Sequence, residues 1–290
     1  EIALAGIRAG KHVVCEKPLA NNAADAKKMA DAAKRSKKAN LCGFNYRRVP
    51  AVMHAKTMIA RGDLGRIYHF RGQYLQDWIL DPNFPLVWRL RKEVAGSGPH
   101  GDLNAHIVDL ARFLVGEIAE VSGTAERFVK KRPLPGSAGK QLGDVTVDDA
   151  ALFLARFENG ALGSFEATRF APGRKNHLTF EINGEKGSIT FDLERLNELG
   201  YYTTSDSAPE RGFRTIFATE PGHPYAAAWW PAGHMLGYEH TFTHEIYDLL
   251  NAIETGKPVT PSFEDGLRCQ QVLEAAAESF VAKRWVRVLR

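Results

Sequence analysis

Two short stretches hold the groups best able to do chemistry, Cys15-Glu16-Lys17-Pro18-Leu19 and Gly101-Asp102-Leu103-Asn104-Ala105-His106. Together they supply an ammonium, a carboxylate and an imidazole. Such a set can take a proton from an alcohol while its carbon gives up hydride, because the developing alkoxide must be neutralised as it forms. On a helix Asp102 and His106 stand one turn apart, so the carboxylate can hold or polarise the imidazole and meet a substrate hydroxyl. His106, with an ordinary pKa of about 6.5, then suits general base duty near neutral pH. A plainer reading stays open: Asp102 sits where an N-cap belongs, and a single helical histidine is often a satisfied structural residue. Pro18 forces an extended or turned backbone on Lys17 and so aims its ammonium, a good oxyanion partner.

The elements around these stretches must bring them together. Residues 1 to 9 read as the end of a helix closed by Gly10, and His12 to Cys15 as a short buried strand. Asn21 or Asn22 caps a helix with Ala26, Met29, Ala30 and Ala33 on its apolar stripe, and Asn40 to Phe44 supply the next strand. Strand, helix, strand implies a right-handed parallel crossover, with ligands expected beyond the carboxyl ends of the strands, where Glu16, Lys17, Pro18, Asn45 and Arg47 lie. A helix over 49–61 and a turn at Gly62-Asp63-Leu64-Gly65 follow. The pattern then changes to strands alternating apolar and polar residues, with hairpins at Ala151–Phe157/Ala161–Phe170 and at Leu178, Phe180, Ile182 facing Ile189, Phe191, Leu193. Helices return at about 238–255, with Phe242, Ile246, Leu249, Leu250 and Ile253 on one face, and at 265–283. Residues 132–144 read as a loop. The fold class is α/β: an amino-terminally truncated Rossmann-type parallel domain over 1–62, then an α+β domain over 63–290 with a large open, mostly antiparallel sheet.

Composition narrows the function. With 290 residues, 44% hydrophobic and 25% charged, the chain can build two cores, and its net charge of +4 is dispersed. A nucleic-acid partner needs a denser basic stripe, and no apolar run reaches the roughly 20 residues that cross a bilayer. Cys15, Cys42 and Cys269 are three and far apart, which fits reduced thiols and a cytoplasmic location rather than a disulfide framework. Residue 1 is a glutamate leading straight into a helical pattern, so the chain is expected to lack its beginning.

With these residues in view, the chain resembles the glucose-fructose oxidoreductase and inositol dehydrogenase (Gfo/Idh/MocA) family along its whole length. Glu16-Lys17-Pro18 matches the family's lysine motif, and Asp102-Leu103-Asn104-Ala105-His106 its Asp-x-x-x-His motif. Supporting segments are Gly43 to Arg47, Gly62 to Gly65, Gly96-Ser97-Gly98, Asn183 to Gly187 and the final helix pair. The resemblance implies a dehydrogenase using NAD or NADP that oxidises a secondary hydroxyl of a sugar, anhydrosugar or cyclic polyol. It gives Lys17 a place at both nicotinamide ribose and reacting hydroxyl, makes His106 the acid/base and Asp102 the substrate-orienting carboxylate, and implies a homo-oligomer through the open sheet. Rival expectations are an NAD-dependent glycoside hydrolase or lyase using transient oxidation, and a sugar-sensing regulator without turnover. The latter would be expected to lose the lysine or the histidine.

Gly96 to Gly101 satisfies G-x-G-x-x-G but follows no buried strand, and it reads as a decoy that starts the catalytic helix. Gln76, Trp78, Trp88 and Arg89 mix aromatic faces with polar ends, as sugar binding needs, or the tryptophans fill a domain interface. His100 adjusts substrate choice or faces solvent. Trp229-Trp230-Pro231 and His234 to Tyr238 close the same pocket or anchor the following helix. His240 and His244 are one turn apart without a convincing third ligand, so no metal is expected.

Overall fold

In the computed structural model, which describes residues 1–289, the chain runs α1 (Ile2–Arg8), β1 (Val13–Cys15), α2 (Ala23–Ser36), β2 (Asn40–Cys42), α3 (Pro50–Arg61) and β3 (Ile67–Leu75). It continues through α4 (Lys92–Ala95), α5 (Pro99–Leu114), β4 (Ile118–Glu126), β5 (Lys131–Pro133), β6 (Leu142–Asp144), β7 (Ala150–Phe157) and β8 (Leu162–Thr168). Last come β9 (His177–Gly184), β10 (Gly187–Asp192), β11 (Glu198–Thr203), β12 (Arg214–Phe217), α6 (Tyr238–Thr255), α7 (Phe263–Ala282) and β13 (Val286–Arg287). Strands β1 and β2 pair in parallel, with Cys15 opposite Cys42. A nine-stranded sheet runs β12-β11-β10-β9-β3-β8-β7-β4-β13, and its pairs are antiparallel except β3 with β8.

Local chemistry accounts for most of these bounds. Asn22 caps α2 by accepting the Asp25 N–H at 2.7 Å, and Ala26, Met29, Ala30 and Ala33 are its buried face. Pro50 opens α3, and Gly62, at φ +86°, closes it in the left-handed region. Both expected hairpins form, β7 on β8 and β9 on β10, the second with Ile182 opposite Ile189 and Phe180 opposite Phe191. Helix α5 lies on the inner face of the sheet, tight against β3: a Cβ on Gly72 would come within 2.1 Å of Ile107 Cγ2. One apolar core runs from Ile7 to Val286 through both sheets. The parallel pair gives way near residue 62 to the nine-stranded, mostly antiparallel sheet, but the packing does not stop there.

Several expectations are corrected. Val14 is exposed, because β1 pairs only with β2 among the described residues and its outer side is uncovered. Helix α5 starts at Pro99, not Asp102, and the Asp148 carboxylate caps it by accepting the Gly98 and His100 N–H groups at 2.8 Å each. The 132–144 loop ends in a small β5/β6 hairpin. Helix α6 turns its apolar stripe outward: Ile246, Leu250 and Ile253 are exposed, while Thr241, His244, Glu245, Leu249 and Ala252 are buried. Its inner face meets the polar 3₁₀ segment Asn45–Arg48 and the apolar Leu41, so polar partners decide the buried side.

Candidate active site

Helix α5 carries Asp102 in its first turn and His106 one turn later. The loop after β1 brings Lys17, whose Nζ donates to Asp102 Oδ1 at 2.6 Å and to the Asp102 carbonyl at 3.0 Å. Arg169, just beyond β8, donates from Nη2 to Asp102 Oδ2. The carboxylate is thus held between two cations, with its own side chain 38% exposed while those of Lys17 and Arg169 are 14% and 2%. Asp102 is the member open to a ligand. Burial alone would raise its pKa, but Lys17 and Arg169 hold it well below the usual carboxylate range.

His106 is almost fully buried, and its Nδ1 has no hydrogen-bond partner. The expected hold of Asp102 on the imidazole is therefore not made. Aromatic packing orients the ring instead: Tyr46 lies 4.4 Å away centroid to centroid, with Tyr74 at 5.9 Å and Phe44 edge-on at 6.1 Å. Burial, then the Lys17 charge, against the pull of Asp102, keeps the imidazole pKa well below its ordinary value. A neutral ring is ready to accept a proton.

From Asp102 the contacts continue round the cleft. The Arg169 guanidinium stands 5.1 Å from the Trp78 ring centre. Trp78 Nε1 donates to Gln76 Oε1 at 2.9 Å, Gln76 Nε2 to Asn176 Oδ1 at 3.1 Å, and Tyr74 Oη to the same Asn176 oxygen at 2.6 Å. Tyr46 and Tyr74 share a hydroxyl contact of 2.9 Å, which closes the circuit at His106. Burial pushes the Tyr46 phenol up to about 12. An indole, a carboxylate, an ammonium and an imidazole are thus joined in one run of contacts, a set that suits a ring with polar hydroxyls and apolar C–H faces.

Sequence reading and structure agree in part. Lys17, Asp102 and His106 converge, and Trp78 and Gln76 join them, Gln76 as the support of Trp78. Trp88 and Arg89 stack on each other at 4.3 Å, and only the Arg89 charge reaches Arg169. Arg47, expected at the cofactor, is corrected: it is buried with Nε and Nη2 on Asp109 at 2.7 and 2.5 Å and Nη2 on Asp265 at 3.1 Å, tying α5 to α7. Asn45 is likewise interior, donating to Thr241 Oγ1 at 2.8 Å. Glu16 is exposed at the end of β1, where a Cβ on Gly43 would lie 3.1 Å from its Oε2. His100 neither faces solvent nor the cleft; it binds the Leu273 carbonyl at 2.8 Å. His244 takes the Trp229 indole N–H at 2.6 Å and contacts the Arg48 carbonyl, so Trp229 anchors α6. Away from the cleft, His177, Asp192 and Glu194 bring three possible metal-ligand atoms within 4.8 Å, but Arg174 Nη1 lies 3.5 Å from the same imidazole and opposes a cation. Arg169 was missed. Its only signal is a basic residue ending an alternating strand on the side where its apolar residues are buried.

Parallel strands followed by Glu16-Lys17 and by Gly43, which makes room for the Glu16 side chain, with Lys17 partly accessible, suit the nicotinamide end of a dinucleotide cofactor. Residues 1–44 match the family described as "Oxidoreductase family, NAD-binding Rossmann fold", and residues 52–190 match "GFO/IDH/MocA C-terminal domain". The chain belongs to the GFO/IDH/MocA oxidoreductase family. Levoglucosan dehydrogenase of Pseudarthrobacter phenanthrenivorans is 46% identical over 299 residues, spanning 99% of this chain and 76% of that protein. A solved structure of levoglucosan dehydrogenase in complex with NADH and levoglucosan superposes with a TM-score of 0.95 at 47% identity, covering 99% of this chain and 76% of the other. An oxidoreductase domain protein from Kribbella flavida is similar at TM-score 0.96 and 54% identity, over 100% of this chain and 77% of its own.

Proposed function

We propose that this GFO/IDH/MocA member oxidises one secondary hydroxyl of a levoglucosan-like anhydrosugar, or of a related cyclic sugar, to a ketone, with NAD as acceptor. The contact that carries the reading is Lys17 Nζ on Asp102 Oδ1, one helical turn before a neutral, buried His106. The similarity to levoglucosan dehydrogenase with NADH and levoglucosan supports the choice of an anhydrosugar and of NAD over NADP. Glu16, Lys17 and Pro18, beside Gly43, would hold the nicotinamide end.

When bound, the nicotinamide supplies the hydride acceptor. The chain's own residues do the rest. Lys17 donates to the substrate oxygen and stabilises negative charge there. His106 takes the hydroxyl proton on Nε2, since Nδ1 faces the packed interior without a partner. Asp102, open to the cleft, accepts from an adjacent hydroxyl and fixes which oxygen lies between Lys17 and His106. Trp78 offers an apolar face to the ring's C–H bonds. The uncovered face of the large sheet, with Leu152, Leu154 and Leu162 exposed, supports a homo-oligomer, and the unpaired cysteines support a cytoplasmic location. No helix among the described residues is long and apolar enough to cross a membrane.

A panel of anhydrosugars, monosaccharides and inositols, assayed for NADH and NADPH formation, tests the reading. Levoglucosan with NAD is expected to give net NADH and a ketone, with His106→Ala about a hundredfold or more slower at unchanged fold. Absence of net NADH with every member of the panel, or full activity of His106→Ala, rejects it.

A further inference from the structure

Asp102 has two cationic partners where one would hold it. Lys17 Nζ takes Oδ1 at 2.6 Å, and Arg169 Nη2 takes Oδ2 from the other side. Arg169 also leaves Nε and Nη1 buried without hydrogen-bond partners, beside the Trp78 ring, and an unpaired buried donor is costly. Such a residue needs a reason beyond tethering a helix turn that Lys17 already binds.

Charge supplies one. A lysine against a carboxylate is a neutral pair, so an oxygen across the cleft feels little of the ammonium. With Arg169 added the group has a net charge of +1, opposite to the charge that appears on the substrate oxygen. We propose that Arg169 is a positioning residue that neutralises and aims Asp102, leaving the charge of Lys17 available to the developing alkoxide. Burial of Arg169, with Trp78 beside its guanidinium, keeps the charge little screened and preserves the effect. The inference rests on the oxidoreductase reading above. In the step it serves, the substrate O–H bond breaks and its proton goes to His106, the C–H pair leaves as hydride to oxidised nicotinamide, and the oxygen's charge becomes the second bond of the ketone.

His106 reports this charge. It is faced by Lys17 from the loop after β1, Asp102 from its own helix, Tyr46 and Phe44 from the segment after β2, and Tyr74 from β3. Arg169 is faced by Asp102, Asp148 and Arg89, and acts on His106 through Asp102. In Arg169→Gln the group becomes neutral, so the His106 imidazole, followed by NMR without substrate, is expected to protonate about half a unit or more higher in pH. Arg169→Lys should leave that titration in place. The Asp102→Asn/Arg169→Gln double variant restores +1 and should return the titration to its original range. In turnover, Arg169→Gln is expected to lower kcat about tenfold or more while NADH affinity, read by fluorescence, stays within about twofold, with Arg169→Lys recovering most of the loss. An unmoved His106 titration in Arg169→Gln, or equal kcat losses in the Gln and Lys variants, overturns the proposal. If the unaltered protein oxidises no sugar, the oxidoreductase reading fails, and the titrations still decide what Arg169 does to the charge.

Discussion

His106 is a base made by its surroundings rather than by a carboxylate partner. Burial and the Lys17 ammonium outweigh Asp102 and hold its pKa well below the ordinary histidine value. The sign is definite: the active, neutral ring persists through neutral pH and is lost only as pH falls through that depressed value. The acid limb of kcat/KM is therefore expected below pH 6.5, and a pH–rate profile checks it. Lys17→Met removes the cation that depresses His106 and stabilises the alkoxide. It should move the limb upward and cut kcat about a hundredfold or more, with thermal stability little changed because Arg169 still pairs with Asp102.

Helix α5 is the element that makes these residues a site. Its cleft face carries Asp102 and His106, and the same face further along carries Asp109, clamped by Arg47, and Phe113 under that guanidinium at 4.8 Å. Gly72 lets the helix approach β3, so Gly72→Ala should overpack the contact with Ile107, cost about 1–3 kcal/mol and lower Tm by several degrees in a calorimetric scan. How much of this was readable from the residues differs by element. Helix α2, the hairpins, and the Lys17 and Asp102/His106 pair were legible, because periodicity and motif spacing are local. The orientation of α6 was not: its buried side is chosen largely by Arg48 and Asn45, which lie far away in sequence, with Trp229 joining from the loop before the helix. Arg47 and Asn45 show a related effect, since they follow a strand end where ligands are expected yet find partners in the interior. Arg169 could not be recognised until the sheet brought it beside Asp102.

At the scale of the whole molecule, buried charge makes stability depend on pH. Glu245 is buried on α6, and its Oε1 lacks a hydrogen-bond partner. Burial, against the pull of Arg48 and helped by Glu16, Asp109 and Asp248, pushes its pKa up to about 7. The folded state therefore keeps a proton that the unfolded chain releases, and this contribution is present below about pH 4.5 and lost as pH rises through 7. Glu245→Gln is expected to be more stable than the unaltered protein at pH 8, by at most about 3 kcal/mol, and to converge with it near pH 5, as urea titrations at the two pH values would show.

The grip on Asp102 joins positions 85 and 67 residues away along the chain. Loops that long close late, after local helices and hairpins have formed. During refolding, far-UV circular dichroism should thus recover before the part of the tryptophan fluorescence that a Trp78→Phe variant lacks, and catalytic competence should return with that signal rather than with the helices. A denaturant-jump experiment following both probes would show the lag. Turnover then serves as a stopwatch for the last act of chain assembly.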